Sequence, residues 1–231
     1  MPGSDPRSSP VAWISRGALT ANARAAWDRG IRSFAPSILE ADAWGHDADL
    51  VEDVLVTAGF TRDDHAPAAY RNSAAHHAIP APARPVLSAP QLLGMPGTGV
   101  PPVLRLSGTV LSVKDLRAGE GVSYGYTYRA AADTRIALVT GGYAQGIVRA
   151  LGGAVDVATA GERHPIVGRV AMDVCVVEIA DAAVQRGDEV LFLGDPAQGE
   201  PSLEDWVRAS GLTDAELITA VGLRAIREEA P

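Results

Sequence analysis

Lysine and cysteine are almost absent from this chain: Lys114 is the one lysine and Cys175 the one cysteine among 231 residues. A single cysteine excludes an internal disulfide and fits a reducing, cytoplasmic setting. Surplus positive charge is missing too. The formal net charge is -8, and the arginines are scattered, which argues against the basic patch that nucleic acids or an anionic membrane surface would need. No apolar run approaches the roughly 20 residues of a membrane helix. Met1 to Pro10 is rich in serine and proline without an apolar core, so no signal peptide is expected there. The hydrophobic fraction of 47% and charged fraction of 21% describe an ordinary soluble protein, whose partners are expected to be small molecules or protein.

What is present divides into three textures. Residues 11–15 read as a short strand, and Ala18 to Asp28 as an alanine-rich helix stopped at Gly30. Residues 33–44 read as a second extended segment through Ile38 and Leu39. Asp47 to Ala58 places Leu50, Val51, Val54 and Leu55 on one helical stripe, with Gly59 as its stop. Residues 11–60 thus form a β-α-β-α beginning. Residues 61–102 are dominated by prolines and small residues, with only Arg71 to Ala78 suited to a short helix; this length exceeds ordinary loops and reads as an irregular linker.

From Val103 the pattern alternates. Strands are expected at 103–113, 136–139, 155–157, 166–170, 174–179 and 189–193, followed by a helix over 202–209 with Ser202 as N-cap and a final helix over 214–224. Residues 103–229 therefore read as an antiparallel β-barrel or sandwich, and the fold class as mainly β. Within it, Gly119 to Tyr128 carries three tyrosines and three glycines. Such a stretch is either a rigid aromatic corner of a β-protein or a place where a phenol is presented to a ligand.

Three segments in order resemble one family. Val122-Ser123-Tyr124-Gly125-Tyr126-Thr127-Tyr128, Gly142-Tyr143-Ala144-Gln145-Gly146 and Ile166-Val167-Gly168-Arg169-Val170-Ala171-Met172-Asp173 are similar to motifs of the fold-type III, pyridoxal-phosphate-dependent alanine racemases. That resemblance implies an alanine-racemase C-terminal-like β-domain preceded by a barrel, and a head-to-tail homodimer. It covers 103–227 nearly continuously. In the N-terminal half, Glu40-Ala41-Asp42-Ala43-Trp44-Gly45-His46 resembles the cofactor-lysine segment, with Glu40 where the Schiff-base lysine belongs, and Asn72-Ser73-Ala74-Ala75 resembles a segment near the end of the barrel. Only 102 residues precede Val103, about half of the 200 or more of a full barrel, so the region reads as a short remnant of a TIM barrel. Trp44, Gln145 and Ala215 also depart from the family's pattern, and Arg84 is too poorly aligned to match the arginine facing the cofactor ring.

By resemblance, Tyr124 is the candidate acid/base, with Tyr143, Met172 and Asp173 as weaker substrate-binding candidates. From the residues alone, Tyr143 reads first as a structural aromatic and Asp173 as a turn residue bonding its own backbone. The family's proton transfer depends on the cofactor delocalising a carbanion; a phenol with a reference pKa of about 10 is poorly matched to an unactivated α-proton. Lys114 stands at an ordinary exposed β-domain position, and Cys175 lacks the second thiol a cofactor-free racemase would use. No cofactor is therefore expected, pyridoxal phosphate entering only by resemblance. His46, His76 and His77 lack metal-ligand spacing. Three readings stay open: cofactor-independent isomerisation, cyclisation or elimination on a small metabolite through Tyr124; a non-catalytic dimerising or binding module; or an inactive truncated alanine racemase.

Overall fold

Among the described residues, four short strands, four helical segments and one 3-10 turn come first in the chain. The computed structural model describes residues 8–65 and 85–230. Strand β1 (Val11–Ile14) leads to helix α1 (Arg16–Asp28), capped by Ser15, whose hydroxyl accepts the Ala18 N–H. Strand β2 (Ser33–Phe34) precedes a helical turn, α2 (Glu40–Gly45), and helix α3 (Ala48–Thr57), capped by Asp47. Strands β3 (Thr61–Arg62) and β4 (Val86–Leu87) follow, with helix α4 (Ala89–Leu93). Both β3 and β4 pair with β2 in parallel, in the order β3-β2-β4. Phe34 and Leu87 lie in register and are buried. Helix α1 packs against α3 and α4, and the Trp27 and Phe60 rings meet edge to face at 5.4 Å.

Two sequence expectations are corrected in this region. Residues 33–44 are extended only at Ser33–Phe34. Pro36, which fixes φ and has no N–H to give a ladder, opens a single 3-10 turn over Pro36–Ile38. The stretch 61–102, read as an irregular linker, contains β3, β4 and α4 among its described residues, with Leu87, Leu92, Leu93 and Met95 buried. These elements are two to five residues long, too short for periodicity to reveal. Helix α4 is held by a capping box between Ser88 and Gln91 with proline in its first turn. Residues 66–84 lie outside the described residues. With them lie the helix expected at Arg71 to Ala78, the Asn72 to Ala75 segment, His76, His77 and Arg84.

The second half is antiparallel. Its axis is β5 (Leu104–Leu116), 13 residues long, followed by β6 (Gly121–Val122), β7 (Tyr128–Arg129), β8 (Thr134–Thr140), β9 (Asp156–Thr159), β10 (Glu162–Pro165), β11 (Val174–Glu178) and β12 (Glu189–Leu193). Helices α5 (Leu203–Ser210) and α6 (Asp214–Gly222) and strand β13 (Ile226–Glu229) complete it. Strand β5 is long enough to serve two neighbours: Leu106–Thr109 pairs with β12 and Val110–Leu116 with β8. From β12 the ladder runs to β9 and β10, and from β8 to β11. Just past β10, Ile166 bridges Val177 of β11, and the Val167 N–H donates to the Val176 carbonyl at 2.8 Å. This path therefore closes into a barrel, while the sheet also continues from β5 to β1 and ends at β13. Residues 166–170 were expected to be a strand, but pairing stops after Val167 because Gly168 turns the backbone at φ +69°.

Alternation fills the interior. Val110, Ala137, Val139, Cys175, Val177 and Phe192 are all buried, and α5 adds Trp206 through an amphipathic face. Two compact units result: the chain up to Trp13 with Leu104–Glu228, and Ile14–Val103 with the end from Glu229. The first strand thus contributes Val11–Trp13 to the β-unit, where the Trp13 indole donates to the Ser107 hydroxyl at 3.0 Å.

Candidate functional site

The tyrosine-rich stretch is a two-stranded ribbon carrying a five-residue loop. Gly121 and Val122 pair with Arg129 and Tyr128, and the ribbon is fixed beneath by a small core of Leu116, Val122, Ala130 and Val167, against which Tyr128 packs. The structure separates the residues of the tyrosine cluster by their packing. Tyr128 is the rigid aromatic: burial, with a hydrogen bond to Glu178 and that residue's charge, pushes its phenol up to about 12. Tyr124 and Tyr126 stand outside, 70% and 64% exposed.

Two further loops join them. The turn Gly142–Gly146 docks on residues 171–173: the Tyr143 N–H donates to the Ala171 carbonyl at 3.0 Å and the Ala144 N–H to the Met172 carbonyl at 2.9 Å. Gly142 is required by this approach, since a β-carbon there would fall 2.2 Å from the Met172 carbonyl oxygen. The Gln145 amide accepts the Gly142 N–H and donates to the Asp173 carboxylate, both at 3.0 Å. Tyr143 is 41% and Met172 55% exposed. Arg169 links this loop to the first, its carbonyl accepting the Ser123 hydroxyl at 2.5 Å. The structure therefore brings the loops that carry Tyr124, Tyr143, Met172 and Asp173 against one another, with all four side chains exposed and Tyr126 in addition. The result is a face of projecting side chains. The described groove of about 510 Å³ lies elsewhere in this unit, beside Asp156, Arg163, Asp205 and Arg208; Arg208 is already paired with Glu204 and Asp205.

Ser123 is the strained residue of the face. Its φ of 63° and ψ of 176° fall in a region populated essentially by glycine, at a cost on the order of 1–3 kcal/mol. Ser123, Gly168 and Arg169 carried no role in the sequence reading. The pair Ser123 and Arg169 is 46 residues apart, and its one sequence hint is the glycine of the Ile166 to Asp173 motif.

The residues matched to the cofactor-lysine segment lie in the other unit. Ala41, Asp42, Ala43 and Trp44 all have φ between 49° and 57°, a turn of left-handed helix that costs L-residues about 1–2 kcal/mol each. Its surroundings determine it: Asp42 accepts the Ala48 N–H at 2.9 Å, the Trp44 indole donates to the Ser37 carbonyl at 3.1 Å, and the buried His46 ring bonds the Ala43 and Trp44 carbonyls. His46 is thus locally bonded, as expected, and buried, not solvated. Glu40 is exposed at the start of this turn. Lys114 is exposed on β5 opposite Ile136. The Cys175 thiol is fully buried and pushed up to about 12 by that burial. Among the described residues no group of three or more His, Cys, Asp or Glu could hold a metal ion, and no helix is long and apolar enough to cross a membrane.

Fold and face together define an antiparallel β-barrel domain that displays tyrosines on loops at its surface. The chain belongs to the alanine racemase family: the family model described as "Alanine racemase, C-terminal domain" matches residues 103–229. An alanine racemase of Mycobacterium leprae is 41% identical over 131 residues, 56% of this chain and 34% of that protein. The match thus spans about a third of the length of such curated relatives. Among solved structures, alanine racemase from Streptomyces coelicolor aligns with a TM-score of 0.79 over 95% of this chain and 97% of that one at 19% identity, which speaks for the fold alone. Alanine racemase from Oenococcus oeni aligns with a TM-score of 0.57 at 26% identity, over 63% of this chain and 42% of that one.

Proposed function

We propose that this chain is a racemase-type β-domain whose tyrosine face is a docking surface covered by a second copy of the chain, and that it does not racemise alanine by itself. The observation that carries the reading is the 70% exposure of Tyr124 among Tyr126, Tyr143 and Met172. A phenol used for proton transfer needs a site that excludes water and orients its substrate, and this face alone supplies neither. Large aromatics and methionine projecting together are the composition of an interface centre.

Pyridoxal phosphate does not fit the residues present. Its covalent attachment requires a lysine amine, and the one lysine, Lys114, is exposed on β5. The position matched to the cofactor lysine is Glu40, whose carboxylate would repel the cofactor's phosphate. The parallel sheet β3-β2-β4 supports reading the N-terminal unit as a remnant of the family's barrel.

Light scattering tests the docking reading. The chain alone is expected to run as a homodimer that Tyr124→Ala and Met172→Ala weaken by about tenfold or more each, in line with central interface residues. A monomer at every concentration, with no mixed species when an intact alanine racemase is added, would remove it.

A second reading is favoured by the strained backbone at Ser123, since strain gathers at catalytic as well as docking sites. In it, Tyr124 moves a proton on a small metabolite already acidified or electrophilic, once a partner closes the face.

A further inference from the structure

The loop that carries Tyr124 is not shaped by its own sequence preferences. Ser123 holds a backbone geometry proper to glycine, Gly125 follows at φ +77° and Tyr126 at φ +46°. The loop holds a short 3-10 turn over Tyr124–Tyr126, and its bond from the Tyr126 N–H to the Ser123 carbonyl is long at 3.4 Å. Around Tyr126 the ring lies against Gly121 and under the Arg129 guanidinium at 5.8 Å, whereas the Ser123–Tyr124 side of the loop, with Tyr124 70% exposed, would relax without support from outside.

At Ser123, what opposes relaxation comes from the 168–173 loop. The Ser123 hydroxyl donates to the Arg169 carbonyl at 2.5 Å. Gly168 lies directly under the serine: a β-carbon at Gly168 would come within 2.9 Å of Ser123 Cβ and 3.1 Å of the Val122 carbonyl. A β-carbon at Gly125 would meet the Arg169 guanidinium at 3.4 Å. The strained turn therefore sits on one neighbouring loop through close backbone approach and one hydroxyl bond.

We infer that Ser123 is a positioning residue: its hydroxyl, bound to the Arg169 carbonyl over Gly168, locks the 123–127 loop and holds Tyr124 projecting from the face. The consequence for association rests on the docking reading proposed above. A pre-set loop loses less conformational freedom when it is covered, so the lock favours binding without adding contacts.

The test is backbone amide relaxation in the full chain, compared among the wild type, Ser123→Ala, Ser123→Gly and Arg169→Ala. Alanine removes the donor and keeps the strained geometry; glycine removes both the donor and the strain; Arg169→Ala keeps the carbonyl acceptor. Order parameters at Tyr124, Gly125 and Tyr126 are expected near 0.85 in the wild type and in Arg169→Ala, and below about 0.6 in both Ser123 variants. Amides of Ala137 and Val139 in the barrel should not change, which separates loop release from general destabilisation. A loop equally ordered in Ser123→Gly, equally mobile in the wild type, or loosened as much by Arg169→Ala would overturn the lock. The same samples give association by light scattering. Loosening with dimerisation weakened about tenfold supports both inferences, while loosening in a chain that never dimerises supports the lock and removes the docking reading.

Discussion

At Tyr128 the same residue type does a different job from Tyr124, four positions away. Packed on the core of Leu116, Val122, Ala130 and Val167, the Tyr128 phenol keeps its proton to about pH 12, against an ordinary value of 10.0. Its folded value is raised, so its contribution to stability is fully present below pH 10 and is lost as pH rises from 10 to 12, where the unfolded chain releases a proton that the folded chain still holds. Urea melts at pH 9 and pH 11 should therefore show a larger loss of stability in the wild type than in Tyr128→Phe. The Cys175 thiol, also raised by burial, is common to both proteins and cancels in the comparison. Equal losses in the two proteins would contradict the burial assigned to this phenol.

Short elements depend on their ends and on the room around them. Helix α6 begins with a capping box in which the Thr213 hydroxyl accepts the Glu216 N–H, and the Glu216 carboxylate accepts the Thr213 N–H and hydroxyl at 2.9 and 2.8 Å. These bonds hold the Glu216 carboxyl below its ordinary range. Thr213→Ala should cost about 1 kcal/mol in chemical denaturation, the usual worth of an N-cap, and an unchanged midpoint would show the cap to be idle. Gly142 poses the opposite problem. Its φ and ψ suit any residue, yet a β-carbon would strike the Met172 carbonyl. Gly142→Ala should cost roughly 1–3 kcal/mol by overpacking and displace the Met172 amide resonance more than that of Ala137. Undisturbed Met172 chemical shifts would refute the close approach.

Over the whole molecule, one lysine sets a sharp chemical expectation. Incubation with pyridoxal phosphate followed by borohydride should leave the chain without a stable adduct, because the exposed Lys114 has no built site around it. A stoichiometric adduct on Lys114, seen by mass, would restore a cofactor to the protein. The alternating strands from Val103 onward and the three motifs that carry the family resemblance were legible in the sequence, because alternation and punctuation by glycine act over a few residues. The cap at Ser202 was legible for the same reason. Strands β3 and β4 were not, being two residues each, and the end of pairing after Val167 was hidden until Gly168's conformation was known.

By itself, then, the sequence determined the β-domain and its family and placed Tyr124, Tyr143, Met172 and Asp173 as candidates, all through local pattern. Tertiary structure alone decided that the loops carrying these residues meet and that Tyr128 is packed while Tyr124 projects. It also decided that Ser123 is held by Arg169 from 46 residues away. Such adjacency depends on closing long loops and on which backbones approach closely, and neither leaves a periodic trace in the chain.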